Sequence, residues 1–130
     1  VAYILCDVDN FIRFNDEHGH ELGDQILKHV AGIIARALPD SAAVARLGGV
    51  EFAVYCTDAS SVDVDALAAA LVEAVAATPL IEDEQSYTVT MSVGLSVTTA
   101  AADPDRALRD ADRAMYLAKS NGRNQFVRAA

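Results

Sequence analysis

The stretch that decides the fold is AVARLGGVEFAVYC, residues 43–56, in which two short apolar runs flank a pair of glycines. Gly48-Gly49 easily takes the positive φ angles of a tight hairpin turn. Ala43 to Leu47 and Glu51 to Cys56 are therefore predicted to pair as antiparallel strands. A largely antiparallel central sheet follows, rather than a doubly wound parallel one.

Two further elements are predicted before this hairpin. Ala2 to Asp7 is a continuous apolar run that ends in an acid, which is typical of a strand buried on both faces. Leu22 to Leu38 has the apolar spacing of a helix, and Pro39 follows its end.

The segments after the hairpin continue the alternation of strands and helices. Asp63 is predicted to cap a helix that ends before Thr78-Pro79. Tyr87 to Thr98 alternates apolar and polar residues, which predicts a long strand with one core face and one polar face. Asp103-Pro104 begins a helix that runs up to Gly122, and Gln125 to Arg128 forms the last strand. The fold class is therefore α+β, with helices flanking the sheet.

Composition indicates one compact domain over residues 1–130. The chain has 52% hydrophobic residues and a formal charge of -9, which excludes disordered and disulfide-scaffold classes. Such a surface repels phosphate backbones, so a nucleic acid is not an expected partner. No apolar run approaches the length needed to span a bilayer, and a cytoplasmic location is expected. Cys6 and Cys56 lie in apolar runs and are predicted to be buried thiols rather than ligands or a bridge.

Two acids follow the first predicted strand. Asp7 and Asp9 are two residues apart and can share one face, an arrangement that suits a hard divalent cation. The alternative is that Asp9 caps the following turn. An EF-hand is excluded because Ile12 and His18 stand where its loop requires glycine and glutamate.

Polar and flexible residues crowd the segment that leads into the first long helix, where turns are expected. Asn15 and Asp24 are a suggestive pair, because an amide and a carboxylate can match the acceptor and donors of guanine; the alternative is that each is a cap or turn residue. His18 and His20 are interpreted as turn residues rather than metal ligands.

Several motifs together resemble the GGDEF domain family. They are, in chain order, DVDNFIRFND (7–16), GH (19–20), GD (23–24), RLGGVEF (46–52) and DRAMYLAKSNGRN (112–124). The resemblance covers nearly the whole chain. It implies a palm-like sheet related to nucleotide cyclases and polymerases, and, in an active member, the condensation of two GTP molecules to cyclic di-GMP across a dimer.

The resemblance also implies roles for individual residues. Asp7 and the Val8 carbonyl resemble ligands of Mg²⁺, and Asn15 and Asp24 resemble the pair that reads guanine. Lys119 and Arg123 resemble contacts to the triphosphate, together with backbone amides around Phe11. The signature itself corresponds to Gly48, Gly49, Val50, Glu51 and Phe52.

Three departures from the family pattern bear on activity. Val50 stands where the family has a second metal-binding carboxylate, and Glu51 is expected to point to the opposite face in a regular strand. Ile12 stands where the family usually has a lysine, with Arg13 one residue off. Pro39 and Ala42 occupy the two positions of the RxxD product-inhibition site, so no such site is expected.

Three functional hypotheses follow. The first is a degenerate GGDEF domain that binds GTP or another guanine nucleotide as a regulatory module, with no or very weak catalysis. Catalysis is expected to be weak because loss of a metal ligand and of a phosphate-binding charge costs several powers of ten in rate. The others are a dimerisation or interaction module with a vestigial pocket, and an active diguanylate cyclase that tolerates Val50. The family's usual N-terminal segment is missing from the sequence, and an attached sensory or phosphodiesterase domain and a homodimer are further expectations.

Overall fold

The structure is a computed structural model that describes residues 1–57, 63–99 and 102–130. Its helices are α1 (Phe11–His18), α2 (His20–Ala37), α3 (Val64–Ala77) and α4 (Pro104–Ser120). Its strands are β1 (Ala2–Val8), β2 (Ala42–Gly48), β3 (Glu51–Cys56), β4 (Leu80–Glu82), β5 (Gln85–Tyr87), β6 (Met91–Val97) and β7 (Gln125–Arg128).

The central sheet has the strand order β2-β3-β1-β6-β7. All neighbours pair antiparallel except β6 and β7, which are parallel. The prediction of an α+β fold with a largely antiparallel sheet is confirmed. β1, which carries the candidate metal ligands, lies in the middle of the sheet with β3 on one side and β6 on the other.

Helices cover the two faces of the sheet unequally. The even-numbered side chains of β1 join α2 and α3 in the main hydrophobic core. On the opposite face, Leu5 packs against Ala111 and Met115 of α4 in a smaller cluster. The strict alternation of β1 therefore sends Asp7 to the side of α4 and Val8 to the main core.

Gly94 permits the close approach of α4 to the sheet. A Cβ at this position would lie 1.9 Å from the backbone oxygen of Ala111 and 2.4 Å from the backbone nitrogen of Met115. Because α4 covers the face that alternates with the core, Ser92 and Ser96 are buried as well. The second face of β6 has the predicted polar side chains, but α4 covers it. The predicted bounds, Tyr87 to Thr98, are wrong, because β6 spans only Met91–Val97 and Tyr87 belongs to β5.

Two elements differ from the prediction. Residues 11–18 were expected to form turns but form α1, whose buried residue is Phe14. The short helix has a narrow apolar stripe that polar residues conceal. The hairpin of β4 and β5 also lay outside the prediction, because its turn uses Asp83 and Glu84 at φ 50° and 64° in place of the glycine or asparagine that usually marks such a turn.

The remaining elements follow the predicted pattern. Asp63 caps α3 by accepting a hydrogen bond from the Ala66 amide, and Asp103 caps α4 in the same way from Asp105. Cys6 and Cys56 are free and buried, and burial raises the pKa of the Cys6 thiol to about 12. In the described ranges, none of the helices is both long and apolar enough to cross a membrane.

Candidate functional site

Acidic side chains meet where β1 ends beside β3 and α4. Asp7 pairs in register with Glu51 of β3, and directly paired residues present their side chains on the same face. Burial is the main cause that raises the pKa of Glu51, and the charges of Asp7 and Asp112 raise it further. Glu51 therefore shares its surroundings with the candidate metal ligand on β1.

Lys119 of α4 is the cation in this group of acids. Its Nζ lies 3.5 Å from Oδ1 of Asp7 and 3.8 Å from Oδ1 of Asp9. Burial raises the pKa of Asp7, and the Lys119 charge opposes that shift. Within the part of the chain that the structure describes, the buried Oδ1 of Asp7 accepts no hydrogen bond. This oxygen is thus desolvated, with only a long ionic contact to compensate it.

Asp9 has a different environment from Asp7. Its carboxylate accepts hydrogen bonds from the hydroxyls of Thr90 and Ser92 and from the backbone amide of Asn124. The two acids do lie together, since both contact Lys119. The alternative that Asp9 merely caps the following turn is wrong, because its oxygens bond across the sheet to β6 and to the turn after α4.

The signature hairpin does not continue as regular strands through residue 50. Gly49 and Val50 form the turn, and the register of β2 against β3 shifts between Arg46 and Gly48. Arg46 donates two hydrogen bonds to the Gly49 carbonyl, at 3.0 and 2.7 Å. Val50 packs against the main core, while Glu51 lies opposite Asp7 on the α4 side. Residue 50 therefore belongs to the turn and not to a regular strand, and the side chains of Val50 and Glu51 lie on opposite sides of the sheet.

The candidate base-reading residues lie on α1 and α2. Asn15 stands over Gly23, where a Cβ would lie 1.8 Å from the Asn15 Oδ1 and 3.2 Å from the ring of Phe11. Among the described residues, Oδ1 of Asn15 is buried without a hydrogen-bond partner. Asp24 follows Gly23 and is exposed. A buried amide oxygen without a partner is costly unless a ligand supplies a donor.

The last turn of α4 and the residues after it hold the candidate phosphate contacts. Lys119 is partly buried at the end of the helix, and Arg123 is exposed in the turn that leads to β7. The Arg123 amide donates to the Ala118 carbonyl. The helix dipole stabilises cations near a helix C-terminus, and Lys119 there also lies beside Asp7 of β1.

The histidines of the helix entrance pack or remain exposed. His18 lies 4.7 Å from the ring of Phe14 and 5.1 Å from that of Tyr87, measured between centroids. A cleft of about 500 Å³ lies beside these aromatic rings, and neither Asn15 nor Asp24 lines it. In the described ranges no three His, Cys, Asp or Glu side chains form a group that could hold a metal ion.

The comparisons with known proteins agree with this arrangement. The family model described as "Diguanylate cyclase, GGDEF domain" matches residues 1–125. The chain belongs to the GGDEF family. The acids at the end of β1 and the Gly48-Gly49 hairpin occupy the same sheet that the resemblance implied.

Relatives and solved structures support the same conclusion. "Probable diguanylate cyclase DgcT" of Escherichia coli is 39% identical over 129 residues, which cover 95% of this chain and 28% of that protein. "Cyclic di-GMP phosphodiesterase PdeR" of the same species is 35% identical over 97% of this chain and 19% of its own length. The crystal structure of the GGDEF domain of PA1120 (YfiN or TpbB) from Pseudomonas aeruginosa has a TM-score of 0.91 at 34% identity, covering 99% of this chain and 81% of that one. The chain thus spans well under half of these two curated relatives.

The structure brings most of the predicted residues into two groups. Asp7, Glu51 and Lys119 form one, and Asn15 lies against Gly23 in the other. Thr90, Ser92 and Asn124 contact Asp9, and Arg46 binds the Gly49 carbonyl, although the sequence assigned none of these four residues a role. The burial of Ser92 gave no signal in the sequence, because a serine in an alternating strand ordinarily faces water.

Proposed function

We propose that this GGDEF domain binds GTP or another guanine nucleotide as a regulatory module of cyclic di-GMP signalling, with no or very weak cyclase activity. The buried Oδ1 of Asn15 carries the proposal. It needs a donor, and the N1-H and N2-H groups of guanine are donors that adenine does not offer at the same edge. Asp24, exposed one residue after Gly23, is the partner carboxylate of the proposed base contact.

The weak-catalysis part of the proposal rests on Val50. A valine at the third signature position offers no oxygen, and its side chain packs against the core. Phosphoryl transfer depends on metal ions and positioned charges that stabilise the transition state. Ile12, which is 79% exposed, also leaves the start of α1 without the lysine charge that the family usually has there.

The residues present fit a weak Mg²⁺ site. Mg²⁺ is usually held by one or two carboxylates together with substrate phosphates and water. The desolvated Oδ1 of Asp7 suits such a cation, and the proposed ligands are Asp7 and the Val8 carbonyl, with Glu51 as an added acid. When bound, the ion would neutralise phosphate charge, while Lys119 and Arg123 would contact the phosphates.

A second candidate function is that of an active diguanylate cyclase. The observation that favours it is the position of Glu51 directly opposite Asp7, which puts a second carboxylate beside the first despite Val50. Under this alternative two copies of the domain meet around two GTP molecules. Cyclic di-GMP production separates the two candidates.

We further propose that the domain acts together with a sensory or phosphodiesterase domain at a cytoplasmic location. The relatives named as a probable diguanylate cyclase and a cyclic di-GMP phosphodiesterase are several times longer than the matched region. A nucleotide-binding domain beside such a partner can regulate it by binding one of its conformations more tightly.

The first experiment is a calorimetric titration of the chain with GTP and with ATP in Mg²⁺, followed by chromatography of the same samples for cyclic di-GMP. We expect saturable binding of GTP, at least about 10-fold weaker binding of ATP, and no product. Equal affinities for GTP and ATP contradict guanine recognition, and rapid product formation contradicts the loss of catalysis. Absence of any heat favours the interaction module.

Variants of α1 and α2 assign the binding to the proposed residues. Asn15→Ala and Asp24→Ala are each expected to weaken GTP binding by about 10-fold or more, since each removes a hydrogen bond to the base. Asp16→Ala is the matched control, because Asp16 is an exposed acid next to Asn15 on the same helix. An equal loss in the control variant would assign the effect of Asp24→Ala to net charge instead.

A further inference from the structure

Asp9 is the acid that the proposed function does not use. Asp7 has a desolvated oxygen, but the Asp9 side chain is only 1% exposed and both of its oxygens are engaged. A cation that reached Asp9 would have to displace the buried hydrogen bond from Ser92 and the partly buried ones from Thr90 and the Asn124 amide. The role of Asp9 must therefore differ from that of a metal ligand.

The contacts of Asp9 join three parts of the chain. Its Oδ2 accepts from the Thr90 hydroxyl at 2.7 Å and from the Asn124 amide at 3.1 Å. Its Oδ1 accepts from the Ser92 hydroxyl at 2.5 Å and lies 3.8 Å from Nζ of Lys119. The carboxylate thus ties the end of β1 to the start of β6 and to the turn between α4 and β7.

That turn adopts an unfavourable backbone conformation. Gly122, Arg123 and Asn124 have φ angles of 120°, 65° and 50°. A left-handed conformation costs roughly 1–2 kcal/mol for an ordinary residue such as Arg123, and less for Asn124, because asparagine adopts it more readily. The hydrogen bond from the Asn124 amide to Asp9, together with that from the Arg123 amide to the Ala118 carbonyl, offsets this cost.

We propose that Asp9 is a positioning residue for phosphate binding: its carboxylate holds the turn at residues 122–124, and with it Arg123, in the conformation that receives the nucleotide phosphates. The inference deepens the proposed function and rests on it. The carboxylate acts through the backbone of Asn124 and not by contact with the nucleotide, while Lys119 keeps its shorter ionic contact with Asp7.

The test compares affinities for GTP and GMP in Mg²⁺ for the wild-type chain and for Asp9→Ala. The hydrogen bond from the Asn124 amide to the Asp9 carboxylate is called the anchor below. Its loss is expected to weaken GTP binding by about 10-fold while GMP binding changes by less than about threefold, because GMP has only one phosphate and therefore fewer contacts to lose. A general structural defect would weaken both nucleotides equally, and this result would overturn the proposal.

Two further variants separate geometry from charge. Asp9→Asn keeps one oxygen for the Asn124 amide, while the hydroxyl of Ser92 can turn to accept from the new amide group, so the ratio of GTP to GMP affinity is expected to stay within about threefold of wild type. Asp112→Asn removes an exposed acid of α4 whose charge acts on Asp7 and Glu51, and Asp112 lies outside the turn at residues 122–124. It is expected to leave GTP binding unchanged or stronger. A weakening equal to that of Asp9→Ala would overturn the proposal.

Amide hydrogen exchange tests the anchor without any nucleotide. The Asn124 amide is expected to be protected in the wild-type chain and to exchange at least about 10-fold faster in Asp9→Ala. Ser92→Ala, which removes a different hydrogen bond to Asp9, should keep most of that protection. An unprotected Asn124 amide in the wild type overturns the inference even if Asp9→Ala does not fold. The wild-type chain could show protection of Asn124 by Asp9 and yet bind no guanine nucleotide. In that case the proposed function fails, and the role of Asp9 in phosphate binding fails with it, although the hydrogen bond between Asn124 and Asp9 is confirmed.

Discussion

The candidate site has two ends, and they differ in the side chain that is buried at each. At the base end, formed by α1 and α2, Oδ1 of Asn15 is buried against Gly23 and, in the described ranges, accepts no hydrogen bond. At the hairpin end, formed by β2 and β3, the Val50 side chain packs against the hydrophobic core. The base end therefore has a buried acceptor without a donor, whereas the hairpin end has an apolar side chain where the family has an acid. Under the proposed function, nucleotide recognition and catalysis depend on different ends of the site.

The largest expected effect comes from Gly94→Ala, which acts on α4, the helix that lies outside both ends and carries Lys119. The new Cβ would overlap the backbone of α4 at Ala111 and Met115, so the helix that carries Lys119 must move. Overpacking of this kind costs about 3 kcal/mol or more when backbone must shift. Urea denaturation of the variant is expected to show that loss of stability.

Gly32→Ala is the matched control for that variant. A Cβ there would meet only the end of the Arg36 side chain at 3.1 Å, and alanine is a better helix former than glycine by about 1 kcal/mol. Its stability should equal or exceed that of the wild type. A stable Gly94→Ala protein would contradict the close approach of α4 to β6.

Gly23→Ala is expected to affect the base end alone. Its Cβ would displace the Asn15 side chain, whose Oδ1 lies within 1.8 Å of the new atom position. Loss of the base contacts should weaken GTP binding by about 30-fold, close to 2 kcal/mol, and reduce the preference over ATP. Nucleotide titrations measure both quantities, and Gly32→Ala on the same helix should bind as the wild type does. Unchanged GTP selectivity in Gly23→Ala would mean that Asn15 does not read the base.

The sequence predicted the larger elements because their physical signals are local. The glycine pair in the signature, the cap at Asp63 and the proline after Asp103 each specify a turn or a helix end. The burial of the polar face of β6 could not be predicted from such local signals. The burial of Ser92 depends on Gly94 and on α4, which packs against it. Alternation in a strand reports what each side chain is, but not what covers it.

The site was predictable to a similar extent. The family motifs assigned Asp7 to the metal and Lys119 to the triphosphate, and in the structure Nζ of Lys119 lies 3.5 Å from Oδ1 of Asp7. The bonding of Asp9 to Thr90 and to the Asn124 amide was beyond the sequence, because these partners lie 81 and 115 residues away. The shift in register at the hairpin also escaped prediction, since a bulge depends on the side chain of Arg46 and on the Gly49 carbonyl that it binds.

Val50→Asp tests whether an acid at the hairpin end lets that end take part in nucleotide binding as the base end is proposed to do. An acid at residue 50 restores the carboxylate that the family has at this position, and its side chain would leave the core for the metal site, so Mg²⁺-dependent GTP binding is expected to strengthen by about 10-fold. Stability should fall by about 1–2 kcal/mol because a carboxylate replaces a half-buried apolar side chain. GTP titrations with and without Mg²⁺ measure the gain.

Leu47→Asp controls for the added charge in that experiment. Leu47 is 56% exposed on the same hairpin, so its replacement adds an acid at little structural cost. It should leave Mg²⁺-dependent binding unchanged or slightly weaker. Equal gains in the two variants would show that Val50 is not the missing ligand position, and no gain in either would indicate that Ile12 limits phosphate binding instead.

The smallest expected effect is that of Arg46→Gln at the hairpin end. The guanidinium donates two hydrogen bonds to the Gly49 carbonyl, but the contact is exposed, so its loss should cost only about 1 kcal/mol of stability. GTP affinity should change by less than about twofold if the hairpin end contributes little to nucleotide binding. Arg109→Gln, which removes an exposed arginine of α4, controls for net charge in the same titration. A GTP affinity that falls 10-fold or more in Arg46→Gln alone would show that the hairpin still takes part in nucleotide binding. The two ends would then differ only in how much each contributes to that binding.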